Sequence, residues 1–212
     1  MNNARLGVAA QGVGIAEAAL DVAIRYAKTR VQFDQPIAEQ PLMKDRLARM
    51  TLELEGSRAL LYRACALADQ NRAIEKLMAR VEAGSKEISE AHSAELQQLY
   101  ERNETRIRLL TPLAKYMGTE AADAISRDAI QIHGGYGFMA ESEVGKLHND
   151  AIITTIYEGT SEIQVSFALK EIGKGALGVV FEVLEAELKA FDEPRMREYA
   201  DKVLAGMKEI LG

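Results

Sequence analysis

Apolar residues recur at helical spacing along almost the whole chain. Between residues 4 and 29, Leu6, Val13, Leu20 and Ala27 stand seven apart, and Ala9, Ala10, Ala16 and Ile24 widen the stripe. That pattern predicts one long helix with a buried face, with Asn2 and Asn3 placed to cap it. Pro36 and Pro41 bracket Ile37-Ala38-Glu39-Gln40, so residues 30 to 41 read as an ordered loop. A second helix is predicted from about residue 42 into the low seventies, with Leu47, Met50, Leu54, Leu61 and Ala68 on its buried side. From Asn71 to about Arg108, Glu, Lys, Arg and Gln take over. Only Ile74, Leu77, Val81, Ile88, Leu96 and Leu99 keep a thin apolar stripe, broken at Gly84-Ser85. This segment reads as a helical hairpin with solvated outer faces, peripheral to any chemistry.

A third core helix is predicted over about 105 to 132, carrying Leu109, Leu113, Tyr116, Met117, Ala121, Ala124 and Ile125. Pro112 fits either its first turn or a kink. The helix stops at His133-Gly134-Gly135-Tyr136-Gly137. Helices follow at about 142 to 154 and from Thr160 to the mid-170s. Two amphipathic helices, separated by Asp192-Glu193-Pro194, fill 176 to 212. The β-branched run Ile152 to Tyr157 is short and has no partner strand. The expected fold is all-α: an antiparallel four-helix bundle over 1–175, a charged helical excursion inserted at 71–108, and an amphipathic helical tail at 176–212.

Three glycines disturb the first helix. Gly7, Gly12 and Gly14 each cost about 1 kcal/mol relative to Ala in a helix interior, so another backbone or a ligand is expected to come close to them.

Charge narrows the function classes. The chain carries 26 basic residues dispersed among 32 acidic ones, for a net charge of -6. That balance argues against a nucleic-acid partner. The lone Cys65 lies in an apolar helical setting and reads as a buried thiol suited to a reducing, cytoplasmic location. No leader pattern opens the chain. No run reaches the ~18 uninterrupted apolar residues of a membrane helix, so no span is expected. His92, His133 and His148 lie far apart, so no metal site is expected.

Three segments hold candidate chemistry. Arg30-Val31-Gln32-Phe33 places a guanidinium, an amide and an aromatic ring just after a helix end. The arginine suits a bidentate phosphate contact, although helix capping and core packing explain the segment as simply. Gln131-Ile132-His133-Gly134-Gly135-Tyr136-Gly137 offers main-chain N–H groups to an anion, or only a helix terminus and turn, with His133 structural. Ile156-Tyr157-Glu158-Gly159-Thr160-Ser161-Glu162-Ile163-Gln164 puts a carboxylate after apolar residues. Lost hydration raises such a carboxyl's pKa and suits it to act as a base; a glutamate beside a helix N-terminus is the plainer reading.

Taken together and in order, these segments resemble the acyl-CoA dehydrogenase family. The matching motifs are Arg5-Leu6 before the Gly/Ala-rich helix, Arg30-x-x-Phe33 with Pro36, Gln131-x-His133-Gly134-Gly135-x-Gly137, and Asp150-Ala151 leading into Ile156-Tyr157-Glu158-Gly159-Thr160. The resemblance covers about residues 3 to 172 and leaves the tail outside. It implies the C-terminal four-helix bundle of an FAD enzyme that desaturates an acyl-CoA thioester between its α and β carbons. Glu158 would be the catalytic base. Arg30, Gln32, Phe33, Gln131, Gly134, Gly135, Thr160 and Gln164 would be cofactor-side residues, the 131–135 turn holding the cofactor of a partner subunit. Arg5, Tyr157 and Gly159 would lie on the substrate side. An electron-transfer flavoprotein is the implied acceptor and a homodimer or homotetramer the implied assembly.

Some branches of the family carry the base just before the arginine, but Ala4 stands there. Asp34 replaces a glycine common in the family, and the 71–108 stretch resembles an insertion in longer bacterial relatives, some acting on sulfur-containing propionyl thioesters. The chain begins where the family's third domain begins, so the isolated piece is expected to turn over little. Two other readings remain: a non-catalytic oligomerisation module, and an acyl-CoA oxidase.

Overall fold

The computed structural model describes residues 2–84 and 88–211. The expected capping side chains of Asn2 and Asn3, and Ser85, lie outside what it describes. The helices are α1 (Asn2–Thr29), α2 (Pro41–Glu82), α3 (Glu90–His133), α4 (Gly135–Phe138), α5 (Glu143–Ile156), α6 (Ser161–Ile172), α7 (Ala176–Lys189) and α8 (Pro194–Leu211). The chain clusters into two compact units, residues 1–69 with 110–168, and residues 70–109 with 169–212.

The first unit is the antiparallel four-helix bundle. Arg25 pairs with Glu143, and Tyr157 bonds to Gln11, so α5 runs against α1. Arg46 pairs with Asp128, and Ser57 donates to the Met117 carbonyl, so α2 runs against α3. Leu6, Ala9, Val13, Ala16, Leu20, Ala23 and Ala27 bury one face of α1, while Ala10 turns out to be exposed and Ile24 half-buried. By length and composition α1 could cross a membrane over Ala4–Thr29. Its alanine-rich face is buried, which accounts for that composition. The glycines divide. A Cβ on Gly12 would lie 2.5 Å from the Gly118 carbonyl oxygen of α3, whereas one on Gly7 or Gly14 would meet nothing within 4 Å.

The second and third helices are longer than expected. No Gly or Pro lies between Asn71 and Gly84, whose φ of 68° follows the end of α2 at Glu82, so residues 71–108 are the far ends of α2 and α3 rather than separate helices. Pro112 therefore lies inside α3, fully buried. The buried stripe of α3 keeps the expected Leu109, Ala121 and Ile125 but is wider and shifted. Thr111, Lys115, Thr119 and Ser126 are fully buried, while Met117 and Ala124 are exposed. In the second unit, Asn71 donates to the Tyr100 carbonyl, Asn103 to Gln70, and Tyr100 to Glu75, which sets an antiparallel register. The α7–α8 pair buries Ala176, Val180, Ala200 and Met207. Cys65 is free and only half-buried; burial, and then Asp69, push its thiol pKa up.

The 30–41 loop contains a small hairpin, β1 (Val31–Gln32) against β2 (Gln35–Pro36), followed by a 3₁₀ turn at Ile37–Glu39. Phe33 and Asp34 at its tip have φ of 55° and 63°. Two successive positive-φ residues define the tight hairpin turn that favours glycine. Replacing Asp34 with glycine is expected to add about 0.5 kcal/mol of stability. That gain would read as a rise of about 1–2 °C in Tm; a fall would contradict the turn geometry.

Candidate active site

A groove of about 690 Å³ lies at one end of the bundle, walled by Tyr26, Arg30, Gln32, Ile132, Gly135 and Tyr136 among others. Helix α1 ends at Thr29, whose hydroxyl donates to the Arg25 and Tyr26 carbonyls. The Arg30 amide closes the last turn on Tyr26, and the Ile37 amide donates to the Arg30 carbonyl, tying the hairpin to α1. The Arg30 guanidinium stands 5.8 Å from the Tyr136 ring centre, across the groove. His133 stacks on Tyr26 at 4.1 Å and donates through Nδ1 to the Ala129 carbonyl. Both contacts make it a structural histidine.

The glycine turn needs its glycines. Gly134 adopts φ 60°, ψ -138°, a region closed to side chains. A Cβ on Gly137 would sit 2.6 Å from the Ile130 carbonyl oxygen. Around Gly135 there is open space, so a ligand can approach its backbone. The groove thus offers one guanidinium, an open glycine backbone and aromatic and aliphatic walls, which suits a flat ring joined to an anionic group. Of the residues expected on the cofactor side, Arg30, Gln32, Gly134 and Gly135 converge here. Phe33 is 86% exposed at the hairpin tip, and Gln131 is exposed beside the groove; neither lines it.

The Glu158 segment forms a second locus, and none of its residues lines that groove. Tyr157, Glu158, Gly159 and Thr160 link α5 to α6. Glu158 has φ 56° and Gly159 φ 96°. The dry pocket expected around Glu158 is not made by this chain: its side chain is exposed, because the link runs over the bundle surface between two helix ends. Tyr157 bonds to Gln11 and borders a groove of about 460 Å³ with Gly14 and Asp150. Thr160 is exposed; its hydroxyl bonds to Glu162 and lowers that carboxyl's pKa.

Gln164, Arg5 and Lys115 are buried. Gln164 is 0% exposed, and its Nε2 donates to the Glu158 carbonyl at 3.0 Å and the Gly159 carbonyl at 2.9 Å. That corrects its expected place: its side chain serves the link and offers no surface to a cofactor. Arg5 is 92% buried, with its guanidinium 4.4 Å above the Phe167 ring. Lys115 is fully buried, and its Nζ donates to the Thr155 carbonyl at 3.0 Å. Burial pushes its ammonium pKa down; Glu120 opposes that shift and Arg5 adds to it. Glu120 in turn accepts a hydrogen bond from Ser161. Sequence reasoning overlooked Lys115, although a lysine amid Leu113, Ala114, Tyr116 and Met117 was a visible signal. Among the described residues no cluster of three potential metal ligands occurs.

The family model for the acyl-CoA dehydrogenase C-terminal domain matches residues 1–84 and 71–173. An acyl-CoA dehydrogenase of Bacillus subtilis is 39% identical over 164 residues, 77% of this chain and 35% of its own. The caffeyl-CoA reductase-Etf complex subunit CarC of Acetobacterium woodii is 35% identical over 160 residues, covering 76% of this chain and 34% of its own. The solved butyryl-CoA dehydrogenase from Megasphaera elsdenii superposes with a TM-score of 0.59 at 32% identity, over 81% of this chain and 36% of that one. The chain spans about a third of the length of these curated relatives.

Proposed function

The chain belongs to the acyl-CoA dehydrogenase family, as its C-terminal helical domain, and from that premise we propose that it serves an FAD-dependent enzyme that desaturates an acyl-CoA thioester. The observation that carries this reading is the convergence of Arg30 and Gln32 with Gly134 and Gly135 in one groove, from segments far apart in sequence. The fit to FAD is chemical. Arg30 would supply charge for a pyrophosphate, the backbone around Gly135 is open to an anion, and Tyr26 and Tyr136 would wall a flat ring. Gln131, Phe33 and Thr160 are exposed outside this groove and would add to the cofactor contacts only from there.

When bound, FAD supplies the acceptor for the β-hydrogen. The carboxylate of Glu158 takes the α-proton of the thioester, with Tyr157 and Gly159 on the substrate side; Arg5, buried against Phe167, offers the thioester little surface. An α-carbon next to a thioester is a weak acid, so proton removal needs a base close by and stabilisation of the charge that develops on the carbonyl oxygen. Glu158, exposed in this chain, gains its desolvation from the substrate and from the rest of the enzyme. A relative named as a subunit of a reductase-Etf complex supports an electron-transfer flavoprotein as the redox partner. Exposed Ile153, Ile156, Ile163 and Leu169 are in keeping with a homodimer or homotetramer, and the single free cysteine with a cytoplasmic setting.

The test is flavin binding and acyl-CoA-dependent dye reduction by the enzyme containing this domain. Arg30→Ala is expected to weaken FAD binding about tenfold to a hundredfold, the worth of a charge-assisted hydrogen bond. Unchanged FAD affinity would remove Arg30 from the cofactor site. A stable, flavin-free oligomer without turnover would favour an assembly module instead.

A further inference from the structure

We infer that Gln164 and Lys115 are positioning residues that hold the backbone of Glu158 in its left-handed conformation, an inference that rests on reading Glu158 as the base. A non-glycine residue at φ 56° is strained, and such conformations persist only where the surroundings impose them. Helix α5 ends at Ile156, and the last carbonyls of a helix have no intrahelical partner. Here side chains supply the partners. Lys115 Nζ donates to Thr155 O at 3.0 Å, and Gln164 Nε2 donates to both Glu158 O and Gly159 O at 3.0 and 2.9 Å. The donors come from different helices, α3 and α6, and reach the chain on either side of the Glu158 Cα.

The chemistry of each group fits that task. A primary amide carries two N–H bonds on one nitrogen and can meet two adjacent carbonyls at once. A carboxylate of the same shape can meet neither. The amide's orientation is fixed by those carbonyls, since its oxygen cannot accept from them. Gln164 Oε1 is buried without a hydrogen-bond partner, a cost that an apolar side chain of the same size would avoid. Lys115 is costlier still as a fully buried cation. Its place at the C-terminal end of α5 puts positive charge where the helix dipole favours it. Gly159 completes the fit: a Cβ there would stand 2.8 Å from Gln164 Nε2. Two polar groups that packing does not need therefore converge on the three carbonyls around one residue.

A base must lie within hydrogen-bond reach of the proton it removes, and small misplacements of reacting groups cost up to about a hundredfold in rate. Gln164→Met and Lys115→Met remove the donors and keep the bulk. In the flavin-loaded enzyme each is expected to lower kcat about tenfold to a hundredfold while KM for acyl-CoA changes less than about threefold and flavin content stays the same. In the 212-residue chain itself, amide hydrogen exchange across Tyr157–Ser161 is expected to speed up in both methionine variants. Wild-type kcat and unchanged link exchange in these variants, beside an inactive Glu158→Gln, would overturn the positioning role and leave the base standing. An active Glu158→Gln would instead remove the base, and the exchange measurement would still report whether the link is held. Loss of flavin or of fold in both methionine variants would show a structural role and overturn the proposal.

Discussion

Glu158→Gln is expected to lower kcat of the flavin-loaded enzyme by about three to four orders of magnitude, the upper part of the range for a positioned base, and to leave FAD bound. Glutamine keeps the size of the side chain but has no basic oxygen at neutral pH. Glu158 is exposed in this chain and lies outside the Arg30–Gly135 groove, so the substitution disturbs neither the bundle core nor the cofactor surface. Tm is therefore expected to stay within about 1–2 °C of wild type, as for surface changes in general. Glu158→Asp is a sharper control: it keeps the base and draws it back by one methylene, so part of the rate should survive. Stopped-flow reduction of the flavin by acyl-CoA reads the chemical step directly. Wild-type reduction by the glutamine variant would take the base away from position 158. An assembly module, by contrast, requires no effect of this residue beyond surface chemistry.

Much of the architecture was legible in the apolar periodicity because long amphipathic helices announce themselves every three to four residues. Leu6, Val13, Leu20 and Ala27 were read onto the buried face of α1 and lie there. Reading failed where polar residues are buried. The core stripe of α3 includes Thr111, Lys115, Thr119 and Ser126, which a hydrophobic pattern counts as surface, so it assigned Met117 and Ala124 to the interior instead. Boundaries failed where composition changed but helix propensity did not: the charged stretch from Asn71 is still a good helix former, and α2 runs on to Glu82.

The candidate site was half legible for a similar reason. Arg30, Gln32, Gly134 and Gly135 could be grouped by motif, and the groove brings them together. Gln164 shares a motif with Glu158, but only the three-dimensional path shows that its amide turns inward to two carbonyls. Lys115 lies forty-three residues before Glu158 in sequence, and its bond to Thr155 depends on α3 and α5 packing side by side.

The first helix offers the largest expected change in stability, because one residue type should act there with opposite signs. A methyl group on Gly12 would come within 2.5 Å of the Gly118 oxygen, 2.8 Å of its carbonyl carbon and 3.1 Å of the Thr119 Cα. All three are backbone atoms of α3, so no side chain can swing aside and the two helices must separate. Ala9, Ala16, Ala19 and Ala23, each 0% exposed, keep that face of α1 small, and separation would loosen their packing too. Overpacking of this kind costs about 1–3 kcal/mol and sometimes more, against about 1 kcal/mol gained from alanine's helix propensity. Gly12→Ala is thus expected to lose about 1 kcal/mol net, a fall of about 2–4 °C in Tm, and Gly12→Val more. Gly7→Ala and Gly14→Ala meet nothing within 4 Å and should gain up to about 1 kcal/mol from propensity alone. Thermal or denaturant unfolding of the three variants side by side separates the causes. If Gly12→Ala stabilises the chain as the other two do, propensity rules the whole helix and the close approach to Gly118 is absent in solution.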